Sequence, residues 1–217
     1  MEATSTTVPP VLAIESPAFE IIRPNLSRNK QDSRPIIVMT CGIAGGFGPP
    51  VSVPPGSGKS TLAKTILAKL PNFVRLSCDK IIHDKYGLYG IDYPREKYGT
   101  YQDEAQSQIK TDLVDLIKGG AHDAVLDLSF YDKEYRDEYK TIIEGAGGRW
   151  VLVHLDGKKE LLWSRIQGRR AARDAIAVES GGRDGDSAYD IEPETFEMYC
   201  SGFEPPSGEG EIRVPVV

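Results

Sequence analysis

Cysteine is scarce in this chain: 217 residues include only Cys41, Cys78 and Cys200, with no CxxC pair among them. So small and odd a set reads as free, buried thiols in a reducing compartment rather than as a disulfide framework. Long apolar runs are missing as well, and none approaches the ~18–20 residues that cross a bilayer. The opening MEATSTTVPPVLAIESPAFE has acidic residues and prolines where a signal peptide carries a basic and then an apolar stretch, so the expected address is the cytoplasm. There is no basic excess either. Twenty-six Lys and Arg against 32 Asp and Glu leave a net charge of −6. That surface disfavours membranes and an extended nucleic-acid interface, and any phosphate chemistry must come from a local basic site. His83, His122 and His154 stand apart, without the spacing of a zinc site.

The composition, 40% hydrophobic and 27% charged, is that of a globular domain, and the length suits one core rather than two. Residues 1–33 carry Pro9, Pro10, Pro17 and Pro24 without sustained periodicity. They read as a mostly disordered arm, with Ile21 and Ile22 as the residues to dock. From Pro35 onward strands and helices alternate. Ile36–Met39 is a short apolar run suited to a strand buried on both faces. Leu62, Ile66, Leu67 and Leu70 give residues 59–70 the stripe of an amphipathic helix. Further strands are expected at 73–77, 124–126 (ending at Asp127) and 150–155, with an edge strand at 212–217. Helices are expected from Pro94 to Lys118, over 133–144 with Asp132 as cap, over 158–173, and from Pro193. The alternation implies an α/β fold with a parallel sheet between helical layers and a ligand site beyond the carboxyl ends of the strands.

Gly56-Ser57-Gly58-Lys59-Ser60-Thr61 falls where the first strand hands over to the first amphipathic helix. Backbone amides at a helix start, a lysine for the terminal phosphates and a hydroxyl for Mg²⁺ are what a nucleotide triphosphate requires. A flexible Gly-Ser turn is the alternative. The full G-x-x-x-x-G-K-[ST] pattern is broken, because Val53 stands where its first glycine belongs. A suitable first half lies upstream, at Cys41-Gly42-Ile43-Ala44-Gly45, and excising 46–56 restores CGIAGSGKST. The segment, with four of the 15 prolines, therefore reads as an insertion within one phosphate loop, whether genuine or the product of a misplaced splice boundary.

With these residues in view, the chain resembles the P-loop kinase-like ATPases, an AAA-domain group related to zeta toxins, polynucleotide 5′-kinases and chloramphenicol phosphotransferase. The likeness runs from about Pro35 to Gly210 through CGIAG…SGKSTLAK, RLSCDKII, AVLDLSFY, WVLVHL, ELLWSRIQGRR and MYCSGFEPPSGEGE. It implies a three-layer P-loop NTPase fold over 34–217, with ATP and Mg²⁺ as cofactors and transfer of the γ-phosphate to a hydroxyl of a small molecule or a nucleic-acid end. On that resemblance Asp79 is the base or orienter of the acceptor hydroxyl, although a helix cap is also open to it. Asp127, at a strand end, is placed to orient Mg²⁺ through water or is a turn residue, and Leu128 follows it where the family often has Arg. The resemblance makes 158–185 a lid, with Arg165 and Arg169 facing the transferring phosphate. A solvated basic face, shared with Arg173, is the other reading of those arginines. Tyr86, Tyr89, Tyr93, Tyr98 and Tyr101 crowd the expected acceptor region, either to stack on a substrate ring or simply to pack. Two rival functions remain at this level: a nucleotide-binding or inert protein with an interrupted phosphate loop, and an NTP hydrolase.

Overall fold

A computed structural model of the protein describes residues 16–42, 57–168 and 192–216. Five strands form one sheet in the order β2-β3-β1-β4-β5, with every neighbouring pair parallel. The strands are β1 (Ile36–Gly42), β2 (Phe73–Ser77), β3 (Asp123–Asp127), β4 (Arg149–Gly157) and β5 (Ile212–Val216). All seven residues of the central strand β1 are buried, as expected of a strand covered on both faces. It is longer than Ile36–Met39 because Thr40, Cys41 and Gly42 keep pairing with Val153, His154 and Leu155. β5 is the edge strand that its sequence predicts.

Alternation along β1 divides the core. Ile37, Met39 and Cys41 face a layer with Ile109, Leu113 and Ile117 of α4 (Tyr98–Gly119) and Tyr139 and Ile143 of α5 (Lys133–Gly145). Also in this layer is Ile82 of α3 (Cys78–Tyr86). On the other face, Ile36 and Val38 meet Leu62, Ala63 and Ile66 of α2 (Lys59–Lys69). The result is a three-layer α/β domain. A satellite cluster joins Leu162 and Ile166 of helix α6, described over 159–168, to Phe196 and Tyr199 of α7 (Pro193–Gly202).

The expected disordered arm needs correction from residue 16 onward; residues 1–15 lie outside the described ones. Pro17 opens α1 (Pro17–Ile22), which lies against α2 and β5. Phe19 and Ile22 are buried while Ile21 is exposed, so one of the two isoleucines docks and the other faces water. Six residues are too few for a periodic signal, and the prolines that look like breakers serve as helix starts. Downstream, Arg28 donates to Asp123 Oδ1 at 2.8 Å and to the Gly120 and His122 carbonyls at 2.6 and 2.7 Å. Asp123 also accepts from Ile36 N at 2.7 Å and Asn72 Nδ2 at 2.6 Å, which ties together the amino ends of three strands.

Most helix ends fall near their sequence signals. Asp132 caps α5 by accepting from Tyr135 N at 2.7 Å. The helix expected from Pro94 is delayed, because Pro94 stays extended (ψ 148°) and a 3₁₀ turn over Arg95–Lys97 precedes α4.

A second clamp holds the tail after α7. Arg136 is fully buried, and its guanidinium grips Glu209 through Nε (3.0 Å) and Nη2 (2.6 Å), a bidentate fork. Its Nη1 donates to the carbonyls of Phe130 (3.1 Å) and Glu204 (2.8 Å). Phe130, with φ at 46°, is the one non-glycine residue with positive φ among those described. The clamp thus fixes an otherwise unfavourable turn just beyond Asp127.

Two outcomes follow for stability. Phe19→Ala should cost about 3–5 kcal/mol in urea denaturation, as for a buried phenylalanine, whereas an unattached arm would leave stability unchanged. Arg136, with help from Lys140, holds the Glu209 carboxyl at about 2, below the ordinary 4.5. Depression of an acid means that its stabilisation, roughly 3 kcal/mol, is complete above pH about 4.5 and disappears as pH falls towards about 2. Denaturation curves over that interval should be less steep in pH for Glu209→Gln than for the native chain.

Candidate functional site

The site lies beyond the carboxyl ends of β1, β3 and β2, where the strand order reverses: β3 and β2 lie on one side of β1, and β4 and β5 on the other. Gly42 ends β1. A side-chain carbon there would come within 3.2 Å of Ser57 Cβ, Ser57 Oγ and the Leu155 carbonyl. The chain therefore leaves the central strand at Gly42 and is back beside it at Ser57. Gly58 then takes a left-handed conformation (φ 90°, ψ 13°) as N-cap of α2, with no atom of the described residues within 4 Å of where its side chain would begin. Lys59 begins the helix, is 3% exposed, and donates from Nζ to Ser57 Oγ at 3.0 Å. Ser60 is half-buried and Thr61 exposed in the first turn. Gly56 and the rest of 46–56 lie outside the described residues.

Asp79 is the second residue of α3, directly past β2, and half-buried. The helix starts earlier than Lys80 because extended Ser77 is its N-cap, so Asp79 is within the first turn instead of capping it. Tyr98 Oη donates to Asp79 Oδ1 at 3.3 Å. The surrounding tyrosines largely pack on one another: Tyr86 stacks on Tyr101 with centroids 3.6 Å apart, and Tyr89 meets Tyr98 edge-on at 5.2 Å. Burial, then the nearby Asp79 charge, pushes the Tyr93 hydroxyl up to about 12, so it stays a neutral wall.

Asp127 ends β3 and is buried. Its Oδ2 accepts from Arg75 Nε (3.0 Å) and Nη2 (2.6 Å). Sequence reasoning passed over Arg75, although it is the one charged residue in the strand FVRLS. Tyr98 was noticed only as one tyrosine among five. Arg165 sits half-buried on α6, on a different face from buried Leu162 and Ile166. Arg169, Arg170 and Arg173, and the lid region from 169 to 185, lie outside the described residues. Among the described residues no cluster of His, Cys, Asp or Glu could hold a metal ion. His154 is buried with Nδ1 unpartnered among the described residues, and burial lowers its pKa. Burial pushes the Cys41 thiol up to about 11, and the Cys78 thiol up as well, so neither is a ready nucleophile.

Solved structures share this fold at low identity. A candidate kinase from Chloroflexus aurantiacus j-10-fl is similar with a TM-score of 0.56 and 16% identity, over 84% of this chain and 85% of that one. A chain of the Pnkp1/Rnl/Hen1 RNA repair complex gives 0.56 and 18%, over 80% of this chain but only 45% of that one. Chaetomium thermophilum Kti12, solved with ADP-AlF3, gives 0.53 and 15%, over 82% and 88%. No curated protein matches the sequence. A family match does exist, and it begins beyond β1, inside the proline-rich segment. It spans residues 54–185, more than half of the chain, and on that ground the chain belongs to the AAA_33 family, an AAA domain.

Proposed function

We propose that this protein binds ATP and transfers its γ-phosphate to a hydroxyl group. The observation that carries the reading is the handover from β1 to α2. A left-handed Gly58, a buried Lys59 and the first amides of a helix meet at the carboxyl end of the central strand, within one site of parallel strands. Ser57, Gly58, Lys59, Ser60 and Thr61, with Gly56, would cradle the phosphates. The Ser60 hydroxyl at the helix start suits a magnesium-bound triphosphate. Bound with the nucleotide, Mg²⁺ would neutralise charge on the phosphates.

Asp79 is the proposed base. It would accept the acceptor's hydroxyl proton while the new O–P bond forms to the γ-phosphorus, the β,γ-bridging bond breaks and ADP departs. Arg165 and Arg169 would neutralise the transferring group from the lid. The net charge of −6 favours a small acceptor or a strand end over a long nucleic-acid surface. No helix among the described residues is long and apolar enough to cross a membrane. The kinase relatives share the fold at low identity, and their acceptors do not transfer with it.

Thermal denaturation with and without MgATP tests the binding step. ATP at about 100 times its Kd should stabilise the chain by about 2.7 kcal/mol, and Lys59→Ala should lose that gain. Asp79→Asn should keep it while losing about 10²–10⁴-fold in phosphate transfer from labelled ATP. Equal stabilisation in native and Lys59→Ala protein would refute the phosphate cradle.

One observation favours a second reading, a weakened binder. Val53 interrupts the phosphate motif, while Gly42 and Ser57, on either side of 46–56, lie side by side. The variant lacking 46–56 should therefore fold and bind ATP more tightly, by calorimetry, than the native chain; equal affinity would mean that the segment leaves the cradle intact.

A further inference from the structure

Tyr98, Gln102, Ala105 and Ile109 begin the buried stripe of α4, and of the buried residues on that helix Gln102 alone is neither aromatic nor aliphatic. The helix runs from the carboxyl ends of the strands back to their amino ends. Its last turn leads through Gly120, whose carbonyl accepts from Arg28, into Asp123 at the start of β3. The first turns of α4 therefore stand at the site. Tyr98, one turn before Gln102, donates to Asp79. The Gln102 carbonyl accepts from Cys78 Sγ at 3.8 Å, and Cys78 directly precedes Asp79. Side chains on a helix lean towards its amino end, so the Gln102 carboxamide leans towards the Tyr98 turn and Asp79. Gln102 is 8% exposed, and its Oε1 has no hydrogen-bond partner among the described residues. An unpaired buried acceptor of this kind costs about 1–3 kcal/mol, which a leucine or methionine at the same place would avoid.

We propose that Gln102 selects the acceptor: its Oε1 takes a hydrogen bond from a second O–H or N–H group beside the hydroxyl that Asp79 holds. This deepens the phosphotransfer reading and rests on it. The carboxylate of Asp79 and the carboxamide oxygen of Gln102 are both hydrogen-bond acceptors, and each is completed by a donor that arrives with the ligand. A molecule with one hydroxyl and no other donor satisfies Asp79 and leaves Oε1 unpaired. A molecule with a second donor next to that hydroxyl satisfies both. Neighbouring tyrosines do not fill the place, since the Tyr98 hydroxyl donates to Asp79 and the Tyr86 hydroxyl to Glu104. A buried polar group left unpaired by the wrong ligand is a strong basis for rejecting it, stronger than a difference in apolar bulk. Gln102 is thus a specificity-determining residue, and its cost to the free protein is the counterpart of that selection.

The test has two parts, both using Gln102→Met, which keeps the length of the side chain and removes its amide. In the free protein the variant should melt at or above the native Tm, because no internal hydrogen bond is lost. A fall of more than about 2 °C, or failure to fold, means that the amide is satisfied within the protein, by buried water for example, and overturns the inference. The second part follows phosphate transfer from labelled ATP to three small alcohols. 1-Propanol has no second donor, 1,2-propanediol has an adjacent O–H, and N-acetylethanolamine has a nearby N–H. The native chain should favour one of the latter two over 1-propanol by at least about tenfold, and which one identifies the donor. Gln102→Met should keep the thermal stabilisation by ATP and lose that preference. An absent preference, or one that survives the substitution, overturns the inference. Stabilisation by ATP without transfer to any of the three overturns it too, and leaves the nucleotide site standing. Failure of the native chain to bind ATP would instead refute the proposed function.

Discussion

The return of the chain to Gly42 at Ser57 is the constraint on which the rest depends. β1 is buried along its whole length and carries both hydrophobic layers, so α2 can start at the site only if the chain comes back to where that strand ends. The absence of a side chain at Gly42 permits the approach, since a carbon there would press on Ser57 and on the Leu155 carbonyl. Once Ser57 is in place, left-handed Gly58 turns the backbone into α2 and brings Lys59 under cover. Asp79 and Asp127 reach the same end of the sheet by a simpler route: each follows or ends a strand parallel to β1.

Charge inside the molecule is arranged differently from its total. The net charge is negative, yet among the described residues Arg136 is fully buried and the Arg75 side chain is 9% exposed, and each lies near β3 or the loop that follows it. Arg75 holds the last residue of β3 on the α2 face, and Arg136 holds the Phe130 carbonyl three residues later. Glu209 and Glu204, from the tail beyond α7, complete the second grip. The stretch from Asp127 to Phe130 is therefore fixed at both ends by guanidinium groups. An unpaired buried carboxylate or guanidinium is costly, so each pair is stable mainly against loss of one partner. That asymmetry favours a single arrangement of the loop.

Much of the architecture was legible because its signals are local and periodic. The apolar run of β1, the helical stripe of α2, the Asp132 cap and the edge strand all follow from period, capping chemistry and turn residues. What was not legible is tertiary. The α1 helix is too short to show a period, and its order comes from burying Phe19 and Ile22 against a core that sequence alone cannot locate. The partner of Asp127 is likewise invisible in one dimension, because Arg75 lies 52 residues away and is brought close only by strand register. Lys59, Ser60 and Asp79 are candidates by motif and resemblance, and they lie at the starts of α2 and α3, just past β1 and β2. The tyrosines show the limit of such reading, since clustering in sequence signalled packing among themselves as readily as a substrate wall.

The interrupted phosphate loop poses different problems for folding and for binding. Loop closure depends only logarithmically on length, at about 0.6 kcal/mol per doubling, so inserting residues between Gly42 and Ser57 costs little in fold stability. A phosphate site depends instead on where N–H groups point. Pro49, Pro50, Pro54 and Pro55 have none to offer, and each constrains the residue before it towards extended backbone. The amides of Gly58, Lys59 and Ser60 escape this restriction because their geometry is dictated by α2, which packs on the sheet through Leu62, Ala63 and Ile66. In the proposed reading, affinity for phosphate comes chiefly from the helix side of the loop. A half-cradle of that kind leans more heavily on the Lys59 charge than a complete one would, since fewer backbone dipoles share the anion.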